Sequence, residues 1–332
     1  MTSIHRGQRW QVPLRPRRVL VLLLPDVHLQ DMAGPVQVLY EASGLGGAYE
    51  ITYCSELPRV RSAQGLVLAD LATLPAPRRD DLVLVPGTLS TKLDRLNQLP
   101  RRWLREAHEV GAQLASVCSG AFALARAGLL DGRRCTTHWK VIARLRAEHP
   151  EARVLENRLF VEDEGVITSA GVASGIDMAL ALVERDHGPI VVSRVAREMV
   201  VYLRRNGDHE QRSVYLDYRT HLHPGVHRVQ DWLVAHPEKR PVLAQLAHIA
   251  ALSPRHFARV FRQATGITAK QFAGKVKVSV ARDLLADPQR TVESIAESCG
   301  FEDGRQLRRI WKDSFGMSIG AFRTSRNLQE EI

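Results

Sequence analysis

With 332 residues, 45% of them hydrophobic, the chain is long enough to build two domains, each with its own core. Its formal net charge of +10 is unevenly spread: the first 18 residues hold five arginines and no acid, residues 227–326 hold 17 basic against 9 acidic side chains, and the stretch between is close to neutral. That distribution confines polyanion binding to the C-terminal part. The four cysteines, Cys54, Cys118, Cys135 and Cys299, show neither CxxC nor paired spacing, which argues against a zinc site or a disulfide framework and fits a reducing cytoplasm.

Residues 1–18 read as a basic disordered leader. The apolar run Val19–Leu24 that follows is too short to cross a bilayer and meets Pro25-Asp26 at once, and no small-residue cleavage site follows it. No membrane association is expected, and the arginines are not the charged start of a signal peptide.

From Val19 to about Gly188 strand-like and helix-like stretches alternate. Residues 17–25 predict a buried parallel strand, and a helix starts around Asp31-Met32-Ala33-Gly34-Pro35. Residues 49–55 predict a second strand and 81–87 a third. A helix covers Arg101–Val110, and the strand 113–118 runs straight into the helix Gly120–Ala127. Short apolar runs bounded by Gly and Pro and separated by helices predict a doubly wound, flavodoxin-like α/β sheet. In such folds ligands sit at the carboxyl ends of the strands. Ile190–Leu203 predicts a helix closing this domain at about residue 205, and 206–226 is polar and rich in breakers, as a linker is.

Cys118 stands at one such strand end. The small residues of Ser116-Val117-Cys118-Ser119-Gly120-Ala121 predict a tight turn that lifts a nucleophile above the sheet. The positive end of the following helix would favour its thiolate. The alternative is a buried, inert cysteine. Asp31 has two readings as well, a cap of its own helix or a partner of Cys118. For His138, between strand and helix, a structural role stands beside a chemical one.

In 227–326 one device occurs twice, over about 242–266 and 292–316. A short apolar helix containing Ala247 or Ala296 breaks at a turn and resumes as a second helix. There Phe257, Val260 and Phe261, and again Leu307, Ile310 and Trp311, share one face. The other face carries Arg255, His256, Arg259 and Arg262 in the first copy and Arg305, Arg308, Arg309 and Lys312 in the second. A helix anchored on one side, with arginines on the other, suits a major groove, where the guanidinium fork matches guanine and also clamps phosphates. A basic face could serve an anionic membrane instead; the duplication, with its Gly266 and Gly316 stops, favours double-stranded DNA.

These motifs resemble the DNA-binding domain of AraC/XylS-type transcription regulators, whose two helix-turn-helix units are joined by a linker helix, here Ala269–Ala286. The AxxxGF turn Ala296–Phe301 and the closing Phe315-Gly316 match. Ser318-Ile319 and Phe322-Arg323 stand where Ser-Pro and Tyr-Arg are usual, and Leu307 stands for an aromatic. Over 19–205, Ser116–Trp139, Asp31 in 30–35, 84–87 and 168–184 resemble DJ-1/PfpI-like (class I glutamine amidotransferase-like) domains. The order of the two domains is that of the GlxA/FtrA-like regulators.

The resemblance implies an acidic residue, here Asp31, hydrogen-bonded to the elbow cysteine. His138 matches a motif of the regulator and isonitrile-hydratase branches. Ser119 stands where the protease-like branch has a histidine, which removes the base beside Cys118, and Gly87-Thr88 replaces a glycine pair, which weakens an oxyanion site. The expectation is therefore a cytoplasmic, DNA-binding regulator and not an enzyme, with no cofactor. It is controlled by a small effector such as an amino acid, a betaine or another nitrogenous metabolite. It forms a homodimer through the N-terminal domain and, if it is an activator, contacts RNA polymerase. Cys118 and Asp31, with Ser119, Gly87 and His138 around them, would line the ligand pocket. The rival readings are a Cys118-dependent hydratase or hydrolase and a redox sensor.

Overall fold

The computed structural model describes residues 16–46, 49–91, 99–201, 205–207, 211, 214–285 and 287–330. Residues 1–15 of the expected leader and most of 208–213 in the expected linker lie outside the described residues. The chain divides into two compact units, Met1–Gln211 and Arg212–Ile332.

The first unit is a doubly wound α/β domain. Strands β1 (Arg17–Leu22) and β2 (Tyr49–Cys54) are followed by a small pair, β3 (Val60–Arg61) and β4 (Val67–Leu68). Then come β5 (Leu82–Val85), β6 (Gln113–Val117), a second small pair β7 (Arg134–Cys135) and β8 (Arg153–Val154), β9 (Phe160–Asp163) and β10 (Val166–Ser169). Six of them form one sheet in the order β2-β1-β5-β6-β10-β9, parallel except for the edge strand β9. The helices are α1 (Leu29–Gly44), α2 (Arg101–Glu109), α3 (Ala121–Arg126), α4 (Ile142–Glu148) and α5 (Ala173–Glu198).

Burial on both faces explains why β1 reads as an unbroken apolar run. Leu20, Leu22 and Leu24 point into a core with Trp103, Leu104 and Phe122 on the α2–α3 side. Val19, Val21 and Leu23 point into a second core with Val38, Leu39 and Met178 on the α1–α5 side. The expected β1, β2, β5, β6 and α2, and the expected start of α1, agree with the structure to within a few residues. Sequence periodicity did not reveal β9 and β10. The helix expected over 190–203 is the second part of α5, which breaks at Gly188 (φ 81°) before Pro189 and ends at Glu198.

The second unit is all-α: α6 (Val214–Asp217), α7 (Pro224–Ala235), α8 (Leu243–Ala250), α9 (Pro254–Thr265), α10 (Ala269–Leu284), α11 (Val292–Ser298), α12 (Gly304–Phe315) and α13 (Ile319–Glu330). Each helix-turn-helix pair has its own core. Phe257, Phe261, Phe272 and Leu246 fill the first, and Leu307, Trp311, Ile295 and Phe322 the second. The linker helix α10 contributes Phe272 and Val276 to one and Val278 and Ala281 to the other. Among the described residues no helix is long and apolar enough to cross a membrane.

Candidate functional site

The first site forms where β5, β6 and β10 end. The chain leaves β6 at Val117, and Cys118 takes φ 56°. This strained conformation is unusual for a side chain with a Cβ and recurs at functional turns. Residues Cys118–Gly120 make one 3₁₀ turn before α3 begins at Ala121. Gly120 permits the sharp exit, because a Cβ there would stand 2.2 Å from the Val85 carbonyl.

The expected pocket residues do gather here. Asp31, fully buried on α1, accepts the Val172 N–H on Oδ1 at 2.8 Å, so its role is a long-range tie across the sheet end and not a helix cap. Its Oδ2 is buried, and the Cys118 thiol is the side-chain hydrogen-bond partner of Asp31. Gly87 lies against the same group: a Cβ there would meet Asp31 Oδ2 at 2.5 Å, Cys118 Cβ at 2.9 Å and Ser119 Oγ at 3.0 Å. Ser119 faces the chain, accepting from Thr88 N–H at 2.9 Å and donating to Thr88 O at 2.6 Å. His138 accepts the Lys140 N–H at 3.3 Å and caps a short 3₁₀ turn.

Four further contacts are not legible in the sequence. Gly171, at φ 124°, leaves room for the thiol, since a Cβ there would stand 2.9 Å from Cys118 Sγ. Val172 holds the rare combination φ 43°, ψ −102° while its N–H serves Asp31. Thr137 Oγ1 donates to the Cys118 carbonyl at 2.7 Å, and Gln211 Nε2 donates to the Thr137 carbonyl at 2.9 Å. Residues 168–184 carried the family resemblance, but the positive φ values that bring the backbone to Cys118 leave no periodic signal.

The ionisation of the elbow runs against the expected thiolate. Burial and the neighbouring Asp31 charge push the Cys118 thiol up to about 12, outweighing the Ser119 backbone N–H that favours the anion. Burial raises Asp31 too, against the opposing pull of the Val172 N–H and His28. Burial and nearby Lys140 hold His138 below the ordinary histidine value. A neutral thiol and a neutral imidazole make this a hydrogen-bonding pocket at neutral pH, not a thiolate–imidazolium pair. Among the described residues no cluster of His, Cys, Asp or Glu could hold a metal.

The second site is the pair of outward helix faces in the second unit. α9 starts at Ser253, whose hydroxyl accepts the His256 N–H, with Pro254 at its first position, and stops at Gly266 in the left-handed region. α12 starts at Asp303, accepting the Gln306 N–H at 2.7 Å, and stops at Gly316 in the same way. These are ordinary caps for short, sharply bounded helices. Phe257 and Phe261, and Leu307 and Trp311, are fully buried, while Arg255, His256, Arg259, Arg262, Arg305, Arg308, Arg309 and Lys312 are exposed. Arg308 differs from the rest, because its Nη2 pairs with Glu293 Oε1 at 2.9 Å. The pair holds Glu293 below the usual carboxylate range.

The DJ-1/PfpI family profile matches residues 17–185, and a helix-turn-helix domain profile matches 246–325. The HTH-type transcriptional regulator CdhR of Pseudomonas aeruginosa is 30% identical over 301 residues, covering 90% of this chain and 88% of its own. The HTH-type transcriptional regulator GbdR of the same organism is 27% identical over 308 residues, covering 91% of this chain and 83% of its own. The crystal structure of a ThiJ/PfpI family protein from Pseudomonas syringae superposes with a TM-score of 0.52 at 20% identity, over 81% of this chain and 98% of its own. That likeness concerns the fold alone. Full-length similarity to regulators, a DJ-1/PfpI sheet with its elbow and a tandem helix-turn-helix unit agree: the chain belongs to the DJ-1/PfpI family, in the branch of AraC/XylS-type, DNA-binding transcriptional regulators whose DJ-1/PfpI-like domain senses an effector.

Proposed function

We propose that the elbow pocket binds a small nitrogenous metabolite without turning it over, and that this binding controls DNA affinity. The observation that carries the reading is the state of the Cys118–Asp31 pair. The thiol is held protonated and shares a side-chain hydrogen bond with Asp31, whose carboxyl group is buried. A carboxylate offers about four lone-pair sites, so beyond the Cys118 thiol and the Val172 N–H it has room for a ligand N–H. Ser119 cannot serve as a base for Cys118, because its hydroxyl is already committed in both directions to Thr88. Amino acids and other compounds with an N–H fit this acceptor better than a betaine does.

In this reading residues 19–205 sense and dimerise, 206–226 link, and 227–326 bind DNA. Arg255, Arg259, Arg305 and Arg309 read bases, with His256 and Arg308 beside them, while Arg262 and Lys312 contact phosphate. RNA polymerase is the further partner if the protein activates.

The test combines a thermal-shift screen of nitrogenous metabolites with Cys118→Ala. The variant keeps its fold and operator binding and changes only the response to the ligand found. Turnover of a small nitrile, isonitrile or amide by the purified protein, lost on Cys118→Ala and on Asp31→Asn, would establish the hydratase instead. Peroxide-dependent DNA affinity that disappears in Cys118→Ala would establish the redox sensor.

A further inference from the structure

Within the DNA-binding unit a cavity of about 560 Å³ lies between the two helix-turn-helix halves, inside the usual size range of small-molecule sites. One wall is α10, where Ala269 and Ala273 present only methyl groups, Gly274 has no side chain, and Lys277 follows one turn on. A Cβ on Gly274 would meet nothing within 4 Å, so the helix leaves this space open. Leu243 of α8 faces the cavity from the first half, and Phe301 and Ile310 face it from the second. Against these apolar walls the charges are mainly of one sign: Lys239, Arg240, Lys270 and Lys277 against Glu302.

Two of these cations, Arg240 and Lys277, crowd each other. Arg240 Nε and Lys277 Nζ both donate to the Gly300 carbonyl, at 2.9 and 2.7 Å, and Arg240 also donates to the Phe301 carbonyl. A carbonyl dipole offsets a cation less than a carboxylate does. Burial, and then the Arg240 charge, hold the Lys277 ammonium below the ordinary lysine value. An ammonium offers three N–H donors and a guanidinium five, so both groups have capacity for a further acceptor.

We propose that this cavity binds a small organic carboxylate with an apolar body. The carboxylate sits on Arg240 and Lys277, and the body lies along Ala269–Gly274 between the two halves. Because both halves supply walls, occupancy biases how the two helix-turn-helix units are set. By linkage the ligand and DNA then alter each other's affinity by the same factor. This input is separate from the elbow pocket and stands or falls independently of it.

The experiment is calorimetric titration of the full chain with octanoate, and with octanamide as its neutral counterpart. Octanoate binds, and octanamide binds at least about tenfold more weakly. Gly274→Leu fills the open space and weakens octanoate by about tenfold or more, while DNA binding without ligand is unchanged. Lys277→Gln weakens octanoate and brings it level with octanamide, which decides the matter if Gly274→Leu does not fold. Equal affinity of wild type and Gly274→Leu would place the ligand elsewhere in the chain and overturn the proposal. So would equal binding of octanoate and octanamide by the wild type, or no octanoate binding at millimolar concentration.

Discussion

Ser119 and Thr88 hold each other through a two-way hydrogen bond, in which the Ser119 hydroxyl accepts from the Thr88 N–H and donates to the Thr88 carbonyl. Both residues are buried. One side chain thus latches the loop after β5 onto the elbow after β6 and keeps Gly87 pressed against Asp31 and Cys118. Ser119→Ala leaves two buried backbone groups unpaired and lowers stability by about 1–3 kcal/mol. Urea unfolding measures it. A loss under about 0.5 kcal/mol, the range of an ordinary surface change, would mean that the latch is dispensable.

The elbow's ionisation predicts a dependence on pH. Cys118 is raised from an ordinary 9.0 to about 12, so the folded state keeps a proton that the unfolded chain releases. The resulting stability is fully present below about pH 9 and is lost as pH rises from there toward 12. Cys54 and Cys135 are also raised to about 12, so the contribution of Cys118 is read as wild type minus Cys118→Ala. For Asp31, also raised, stability is lost as pH rises above its ordinary value of 3.8. Asp31→Asn therefore does not lower the neutral-pH melting temperature, and it brings alkylation of Cys118 to lower pH. An unshifted alkylation profile in Asp31→Asn would show that the two groups are uncoupled.

Much of this was legible in the chain. Alternating burial of Val19–Leu24 on two sheet faces produces a run that only a doubly covered strand explains. The 3,4-spacing of Phe257, Val260 and Phe261 fixes which side of α9 carries arginines. What could not be read were relations set by backbone conformation: the approach of Gly171 to Cys118, the Val172 N–H on Asp31, and the burial that reverses the expected thiolate. Arg308 is a smaller instance. Its helical position is outward, but its ion pair with Glu293 depends on how α11 packs on α12.

That ion pair divides the basic residues. Replacing Arg255, Arg259, Arg305 or Arg309 by Ala costs about 1–3 kcal/mol at the operator and relaxes choice at one or two base pairs. Arg262→Ala and Lys312→Ala weaken all sequences alike, each lowering the salt slope by about one. Arg308→Ala has a smaller effect, and Glu293→Gln, which frees the guanidinium, strengthens nonspecific binding at low salt. Binding-site selection and salt titration with each variant decide this. Unchanged sequence preference in all four base-reading variants would remove the assignment.

Two recognition helices act as one reader only when their spacing is fixed. Both units sit on α10, and insertion into successive major grooves on one face of the duplex requires recognition segments about 34 Å apart. The loop before α8 meets the turn after α11 at Gly300, which has φ 67° and whose Cβ, if present, would stand 2.1 Å from the Glu238 carbonyl. Arg240 and Lys277 grip the Gly300 carbonyl itself. Gly300→Ala must open this junction, because neither the backbone conformation nor the space admits a methyl group. The expected result is a footprint that shrinks from about two helical turns to one groove, with the groove under α9 still protected and the groove under α12 open to cleavage. Arg240→Ala does the same more mildly, since it removes hydrogen bonds without inserting an atom. A full two-groove footprint in Gly300→Ala, at unchanged affinity, would mean that α10 alone sets the spacing.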